Sequence, residues 1–190
     1  LGDVKYIDRN EDGTIDYRDQ ELIGRNETPE LFFGLNVNAN YKGFDFGMLW
    51  QGAGNFDVMM RGSELAANTS IGQMPLQYQA DYAWNANNTA AAKLPAPTTS
   101  GLNNHNDQPL DIYQKDGTYL RLKSVTLGYS IPKTILEKVN IKNARVYISG
   151  YNLLTIQNTG IFDIDPELRG NGVTAYPLQR NISVGVNIGL

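Results

Sequence analysis

Cysteine is absent from the 190 residues, so a disulfide framework, a thiolate zinc site and a cysteine nucleophile are all excluded. Histidine is nearly absent too: His105 is the single copy, set among Asn103, Asn104, Asn106 and Asp107. One imidazole in such a polar loop cannot build a zinc cage. No cluster of lysine and arginine interrupts the mildly acidic balance, a formal net charge of −4, which excludes a phosphate-neutralising nucleic-acid surface. No apolar run is long enough for a membrane helix, and mean hydropathy is −0.38. A transmembrane barrel stays open, because its strands alternate lipid-facing with lumen-facing residues and average out near zero. G-x-S-x-G elbows and phosphate-cradling G-x-x-x-x-G-K loops are also missing. Catalytic and cofactor-binding residues are therefore not expected, and the chain reads as a non-enzyme. It opens on Leu1 without a basic, apolar leader and is expected to be part of something longer.

What the sequence does have is alternation. Leu31, Phe33, Leu35, Val37, Ala39 and Tyr41 are apolar, with Gly34, Asn36, Asn38 and Asn40 between them, which is a strand with one greasy face. Lys42-Gly43 supplies a tight turn, and Phe44, Phe46, Met48 and Trp50 then complete a hairpin. A long stretch from about 52 to 117 lacks a sustained period and is expected to be a loop with a short helix in it. The next strand runs from about Thr118 to Ile131. Its later half alternates through Val125, Leu127, Tyr129 and Ile131, while Leu120 and Leu122 take the other parity. A lipid band confined to that later half is expected, with Arg121 and Lys123 in water beyond it. Pro132 ends the strand, Lys133 to Asn143 forms a short connection, and Arg145 to Leu154 is strand-like with weak alternation. After a second long loop, at about 155–177, Ile182, Val184, Val186, Ile188 and Leu190 alternate with Asn181, Ser183, Gly185, Asn187 and Gly189.

The polar positions carry Asn, Ser and Gly where a solvated sheet would carry Lys and Glu, and connections alternate short and long. Both features suit a membrane barrel with a hydrated lumen. The expected fold class is all-β: carboxy-terminal strands of a large antiparallel transmembrane β-barrel with long extracellular loops. Phe33, Val37, Phe46, Val184 and Val186 are expected to face lipid, and Asn36, Asn38, Ser183 and Asn187 the lumen. Five strands cannot close such a barrel, so remaining barrel strands are expected upstream. Residues 1–30 form one expected unit, an extracellular loop, and 31–190 the barrel strands with their loops. Lys42-Gly43 and Pro132 to Asn143 would then be periplasmic.

Several strings carry a family resemblance. They are Gly2-Asp3-Val4-Lys5-Tyr6 with Asp8-Arg9-Asn10-Glu11-Asp12-Gly13, Tyr41-Lys42-Gly43-Phe44-Asp45, Asp116-Gly117-Thr118-Tyr119-Leu120-Arg121-Leu122-Lys123, Val125-Thr126-Leu127-Gly128-Tyr129 and Tyr147-Ile148-Ser149-Gly150-Tyr151-Asn152-Leu153-Leu154-Thr155. In this order they resemble the carboxy-terminal region of SusC/RagA-type, TonB-linked outer-membrane transporters. The resemblance implies import of glycans or peptides across the bacterial outer membrane. It also implies a SusD-like surface lipoprotein as partner, and TonB engaged through a part lying upstream.

The sharpest local motif is D-x-N-x-D-G-x-I-D-x-x-D from Asp8 to Asp19, which matches the calcium loop of EF-hands over its first nine positions. Asp8, Asn10 and Asp12 offer side-chain oxygens, Gly13 the sharp turn and Thr14 its carbonyl. Asp16 would act directly or through water, and Asp19, at the place of a bidentate Glu, is similar to the dockerin form of the loop. Ca2+ is the cofactor expected there. In the long loop Tyr78, Tyr82 and Trp84 stand among Gln and Asn, an association that sugar and peptide contacts use, and they are the candidate substrate-binding residues. A second functional class fits the same motif: a soluble calcium-binding β module of an extracellular carbohydrate-active protein.

Overall fold

The computed structural model describes residues 2–60, 76–97, 106, 108–171, 176 and 178–189. His105 and Leu190 lie outside the described residues. In chain order the strands are β1 (Leu31–Tyr41), β2 (Phe44–Gly54), β3 (Asp57–Met59), β4 (Gln114–Asp116), β5 (Tyr119–Ser130), β6 (Asn143–Gln157) and β7 (Asn181–Gly189). Two short helices, α1 (Gln77–Tyr82) and α2 (Lys133–Leu136), and several single 3₁₀ turns join them. The chain divides into two compact units, each assembled from three stretches of sequence. A sheet unit comprises Pro29–Asn55, Thr118–Asn158 and Pro177–Leu190; a loop unit comprises Leu1–Thr28, Phe56–Gly117 and Thr159–Tyr176.

The sheet unit is one antiparallel sheet in the order β1-β2-β5-β6-β7. The β1–β2 hairpin turns on Lys42 (φ 47°) and Gly43 (φ 90°), the paired positive φ of a type I′ turn. Because residues paired across an antiparallel ladder share a face, the register decides which side each residue takes. Leu35 pairs Trp50, Val37 pairs Met48 and Ala39 pairs Phe46; Met48 pairs Val125 and Phe46 pairs Leu127; Leu127 pairs Ile148, and Ile148 pairs Val184. One apolar face therefore runs unbroken across all five strands, and its side chains stand largely free, Ile148 at 47% and Val184 at 79% exposure. The opposite face pairs Asn38 with Gly47, Gly47 with Thr126, Thr126 with Ser149 and Ser149 with Ser183. Phe33, Val37, Phe46, Val184 and Val186 share the first face; Asn36, Asn38, Ser183 and Asn187 share the second.

The structure corrects the reading of the first half of β5. Register shifts between Leu122 and Ser124, where Lys123 is an extra residue opposite the Leu49–Trp50 step of β2. A bulge resets parity, so Leu120 and Leu122 join Val125, Leu127 and Tyr129 on the apolar face instead of opposing them. The apolar face spans the strand rather than its later half. Arg121, expected in water, is buried to 1% exposure; its Nε donates to Thr155 Oγ1 at 2.9 Å and its guanidinium stands 5.4 Å from the Tyr119 ring. β6 keeps one parity past its irregularity at Asn152 (φ 52°): Val146, Ile148, Leu154 and Ile156 all lie on the apolar face, and its weak alternation comes from Tyr147 and Tyr151 at polar-face positions.

The loop unit has a conventional core. β3 pairs with β4, and Phe56, Val58, Met60, Leu94, Leu110, Tyr113 and Phe162 of this unit are all buried. Gly117 is required there, since a Cβ at that position would lie 2.3 Å from the Phe56 ring. Asp57, also buried, ties the 20s segment to the ribbon: its Oδ2 accepts from Arg25 N at 2.6 Å and from Gln114 Nε2 at 2.9 Å. The N-terminal segment is held by Ala96 N donating to Gly2 O at 2.8 Å and Val4 N donating to buried Asn106 Oδ1 at 3.0 Å.

Candidate functional site

Three places merit a functional reading, and the first is the acidic loop. Its side chains turn inward onto the backbone: Asp8 Oδ2 accepts from Gly13 N at 2.8 Å across the loop, and Asx turns close at Asn10, whose Oδ1 accepts from Asp12 N at 2.9 Å, and at Asp12, whose Oδ1 accepts from Thr14 N at 2.9 Å. Gly13 supplies the sharp turn at φ 81°. Asp19 closes the loop, accepting from the N–H groups of Arg9 and Asp16 at 2.8 Å each. Arg18 lies 2.8 Å from Asp16 and 3.2 Å from Asp12. The Arg18 side chain holds the Asp16 carboxyl below the usual carboxylate range, and the Asp16 and Arg9 backbone N–H groups do the same for Asp19. Asp8 Oδ1 is buried with no hydrogen-bond partner. The loop thus gathers Asp8, Asn10, Asp12, Thr14, Asp16 and Asp19 in one fold of the chain. Among the described residues, however, no three His, Cys, Asp or Glu side chains converge as a ready-made metal cage.

The second place is the aromatic trio, which the structure disperses. Tyr78, in α1, meets Phe162 edge-on with ring centroids 5.3 Å apart, and burial pushes its hydroxyl pKa up to about 12. Tyr82, one turn on, has Lys93 Nζ 4.8 Å from its ring centre. Trp84 packs over Gly2, whose φ of 90° and 2.5 Å clearance to the indole leave no room for a Cβ. Lys93, Lys115 and Phe162 around Tyr78 and Tyr82 were not legible in the sequence. They arrive from segments separated by dozens of residues and follow no period.

The third place is the polar face of the sheet. A shallow concavity there is lined by Asn36, Asn38, Asn40, Asp45, Ser124 and Thr126. At its end Arg145 reaches across β5 to Asp45, with Nε 2.8 Å from Oδ1 and a second hydrogen bond from Nη2 to Oδ2. Gly128 lies beneath the pair, and a Cβ there would come within 2.4 Å of both side chains. A glycine at a polar position of an alternating strand was the available signal, since it marks close approach from above. The Arg145 guanidinium also stands 5.0 Å from the Tyr147 ring.

A sheet that is apolar and exposed on one face, amide- and hydroxyl-lined on the other, and joined by alternating short and long connections is of the class that forms antiparallel barrel walls. No family model matches the chain. It is 30% identical over 203 residues to the TonB-dependent receptor P26 of Formosa agariphila, covering 99% of this chain and 20% of that protein. To the TonB-dependent receptor SusC of Bacteroides thetaiotaomicron it is 27% identical over 191 residues, covering 97% of this chain and 17% of SusC. A solved structure of the RagAB peptide importer in its open-open state matches with a TM-score of 0.66 and 21% identity, over 93% of this chain and 19% of that one. The chain spans about a fifth of the length of the curated relatives it matches. It is SusC/RagA-like across nearly all its residues, and the region it resembles is the carboxy-terminal barrel portion.

Proposed function

We propose that the chain forms part of the wall and outer loops of a TonB-dependent outer-membrane importer of glycans or peptides. The observation that carries this reading is the unbroken apolar face, on which Leu35, Phe44, Leu127, Ile148, Val184 and Val186 stand exposed across all five strands. Strands of 9 to 15 residues are long enough to cross a bilayer, which takes roughly 9–11 tilted residues. The likeness to SusC and to the RagAB importer supports a SusD-like lipoprotein as partner and TonB coupling through another part of the polypeptide. Lys42-Gly43 and Pro132 to Asn143 then face the periplasm and the loop unit faces outward. A soluble β module would leave the apolar face in water, an exposed patch that monomers avoid. Single-cysteine labelling in native membranes tests the reading: a lipid-dissolved quencher should reach probes at Val184 and Val186 and spare those at Ser183 and Asn187. Equal quenching at all four positions would sink it.

The acidic loop takes Ca2+ in this reading. Supporting it are the oxygen-only donor set, which suits a hard cation needing about six to eight oxygens, and the buried Asp8 Oδ1 that no protein group satisfies. The loop's residues would hold the ion, and the ion would order residues 8–19. Calcium titration of wild type against Asp12→Ala decides: uptake by the wild type alone supports the site, and equal uptake by both removes it.

A further inference from the structure

Charge is divided unequally between the two units. The loop unit carries eight basic and seventeen acidic residues, the sheet unit eight basic and three acidic. Four of the sheet unit's cations are lysines that the fold collects at one end of the strands. Lys42 stands in the β1–β2 turn, and Lys133, Lys138 and Lys142 stand in the connection from β5 to β6. Backbone hydrogen bonds set these two turns side by side: Ser130 N donates to Gly43 O at 2.8 Å, Ile131 N to Ala144 O at 2.9 Å and Lys142 N to Gly189 O at 3.0 Å. Buried Leu136, whose carbonyl accepts from Ile141 N at 3.2 Å, folds the connection back on itself. All four lysines are exposed. Among the described residues no carboxylate comes within ion-pair distance of any of them. Glu137 is the single acid in the connection, and Asp45 is already matched by Arg145.

At the same end the apolar face closes with aromatic rings. Tyr41 pairs Phe44 and Phe44 pairs Tyr129, with the Phe44 and Tyr129 ring centroids 4.6 Å apart. Tyr41 is 68% exposed and Phe44 51%, and Ile135 of α2 is exposed as well. Lys42 Nζ stands 5.2 Å from the Tyr41 ring centre, so an ammonium sits at the border of the apolar face. An apolar band that ends in rings and then in ammonium groups follows the order of a bilayer leaflet, from acyl chains through the interface to phosphates. The charges are spread over two turns and surround no pocket, which suits a layer of phosphates better than one bound anion. Lysine, a point charge on a flexible stem, also suits headgroups that move. We propose that Lys42, Lys133, Lys138 and Lys142 form a docking surface for anionic phospholipid headgroups, with Tyr41, Phe44 and Tyr129 at the acyl-chain boundary. The proposal rests on the importer reading, which sets this end at the periplasmic leaflet, and goes beyond it by giving that end a preferred lipid.

The test uses the full-length protein in vesicles of mixed phosphatidylcholine and phosphatidylglycerol, with a fluorescent donor on Thr134→Cys, an exposed position beside the lysines. A trace of either lipid carries an acceptor on its acyl chain. Energy transfer should report phosphatidylglycerol enriched about threefold or more over phosphatidylcholine, with the excess shrinking as salt rises. Lys42→Asn/Lys133→Gln/Lys138→Gln/Lys142→Gln should abolish the excess; Asn is chosen at 42 because it tolerates the left-handed φ of 47° there. Lys42→Arg/Lys133→Arg/Lys138→Arg/Lys142→Arg keeps the charge and should retain the excess, which separates charge from a folding defect. Millimolar glycerol phosphate at constant ionic strength should change nothing, since no pocket holds a free headgroup. Equal transfer to both lipids, an excess that survives the neutral variant or is lost in the arginine one, or competition by glycerol phosphate would each overturn the proposal. Lipid-quencher access at Val184, measured on the same samples, reads the barrel separately. Quenching there without a lipid preference at Thr134 removes this proposal alone, and absent quenching removes both.

Discussion

The two units use the same apolar side chains in opposite ways. In the loop unit Phe56 and Val58 are almost sealed from solvent, as in any water-soluble domain, whereas in the sheet unit Val184 and Val186 stand open. A valine is driven inward only where water is the alternative, so exposure of a whole strand face says what solvent that face was built for. The difference also separates two kinds of polar residue. Asp57 and Asn106 are buried and fully engaged in the loop unit, while Asn36 and Asn38 bond chiefly to each other on an open face, with Asn38 Nδ2 donating to Asn36 Oδ1 at 3.1 Å.

Substitutions sharpen the contrast. The largest effect is expected for Phe56→Ala, which empties the loop-unit core and should cost about 3–5 kcal/mol there; hydrogen exchange should rise in residues 56–60 and 113–117 and stay unchanged in β6 and β7. Val184→Arg should cost about 2–4 kcal/mol near a bilayer midplane, measured by unfolding in lipid vesicles. The same substitution should be nearly silent if the face is in water, which would break the comparison. Gly128→Ala places a methyl within 2.4 Å of Arg145 and Asp45 and should cost about 1–3 kcal/mol by overpacking, with Asp45→Ala reducing the penalty in a double-mutant cycle.

The smallest expected effect is a pH response of the acidic loop. Asp16 and Asp19 have folded pKa values below their unfolded ones, so their contribution is present above the unfolded value near 3.8 and is lost as pH falls through the folded values. Amide protection factors in residues 8–19, with intrinsic exchange corrected for pH, should therefore stay constant from neutrality to about pH 5 and fall below about pH 4.

How much of this was readable follows from where the information sits. The faces of β1, β2 and β7 were legible because burial pattern and period are local. In β5 the single extra residue Lys123 inverted the parity, and a bulge has no composition of its own to betray it. In β6 the polar-face residues Tyr147 and Tyr151 blurred the alternation. The loop unit's core was hidden because its buried residues, Phe56, Tyr113 and Phe162 among them, lie in segments far apart in sequence and share no period. The acidic loop was recognisable from spacing alone. The neighbours of the tyrosines were not, since Lys93 meets Tyr82 and Phe162 meets Tyr78 only once the chain is folded.

The Asp45–Arg145 pair has a consequence for assembly. It joins β2 to β6, strands that do not touch, across 100 residues of sequence and over the glycine of a third strand. Each strand could slip by two residues and still present its apolar side chains outward, so hydrophobicity does not reject that error. The ion pair does, because a two-residue slip of β5 would slide Ser130 or Thr126 in place of Gly128 beneath the crossing side chains. It works as a proofreading latch, admitting one alignment of three strands and leaving the slipped ones without their bond.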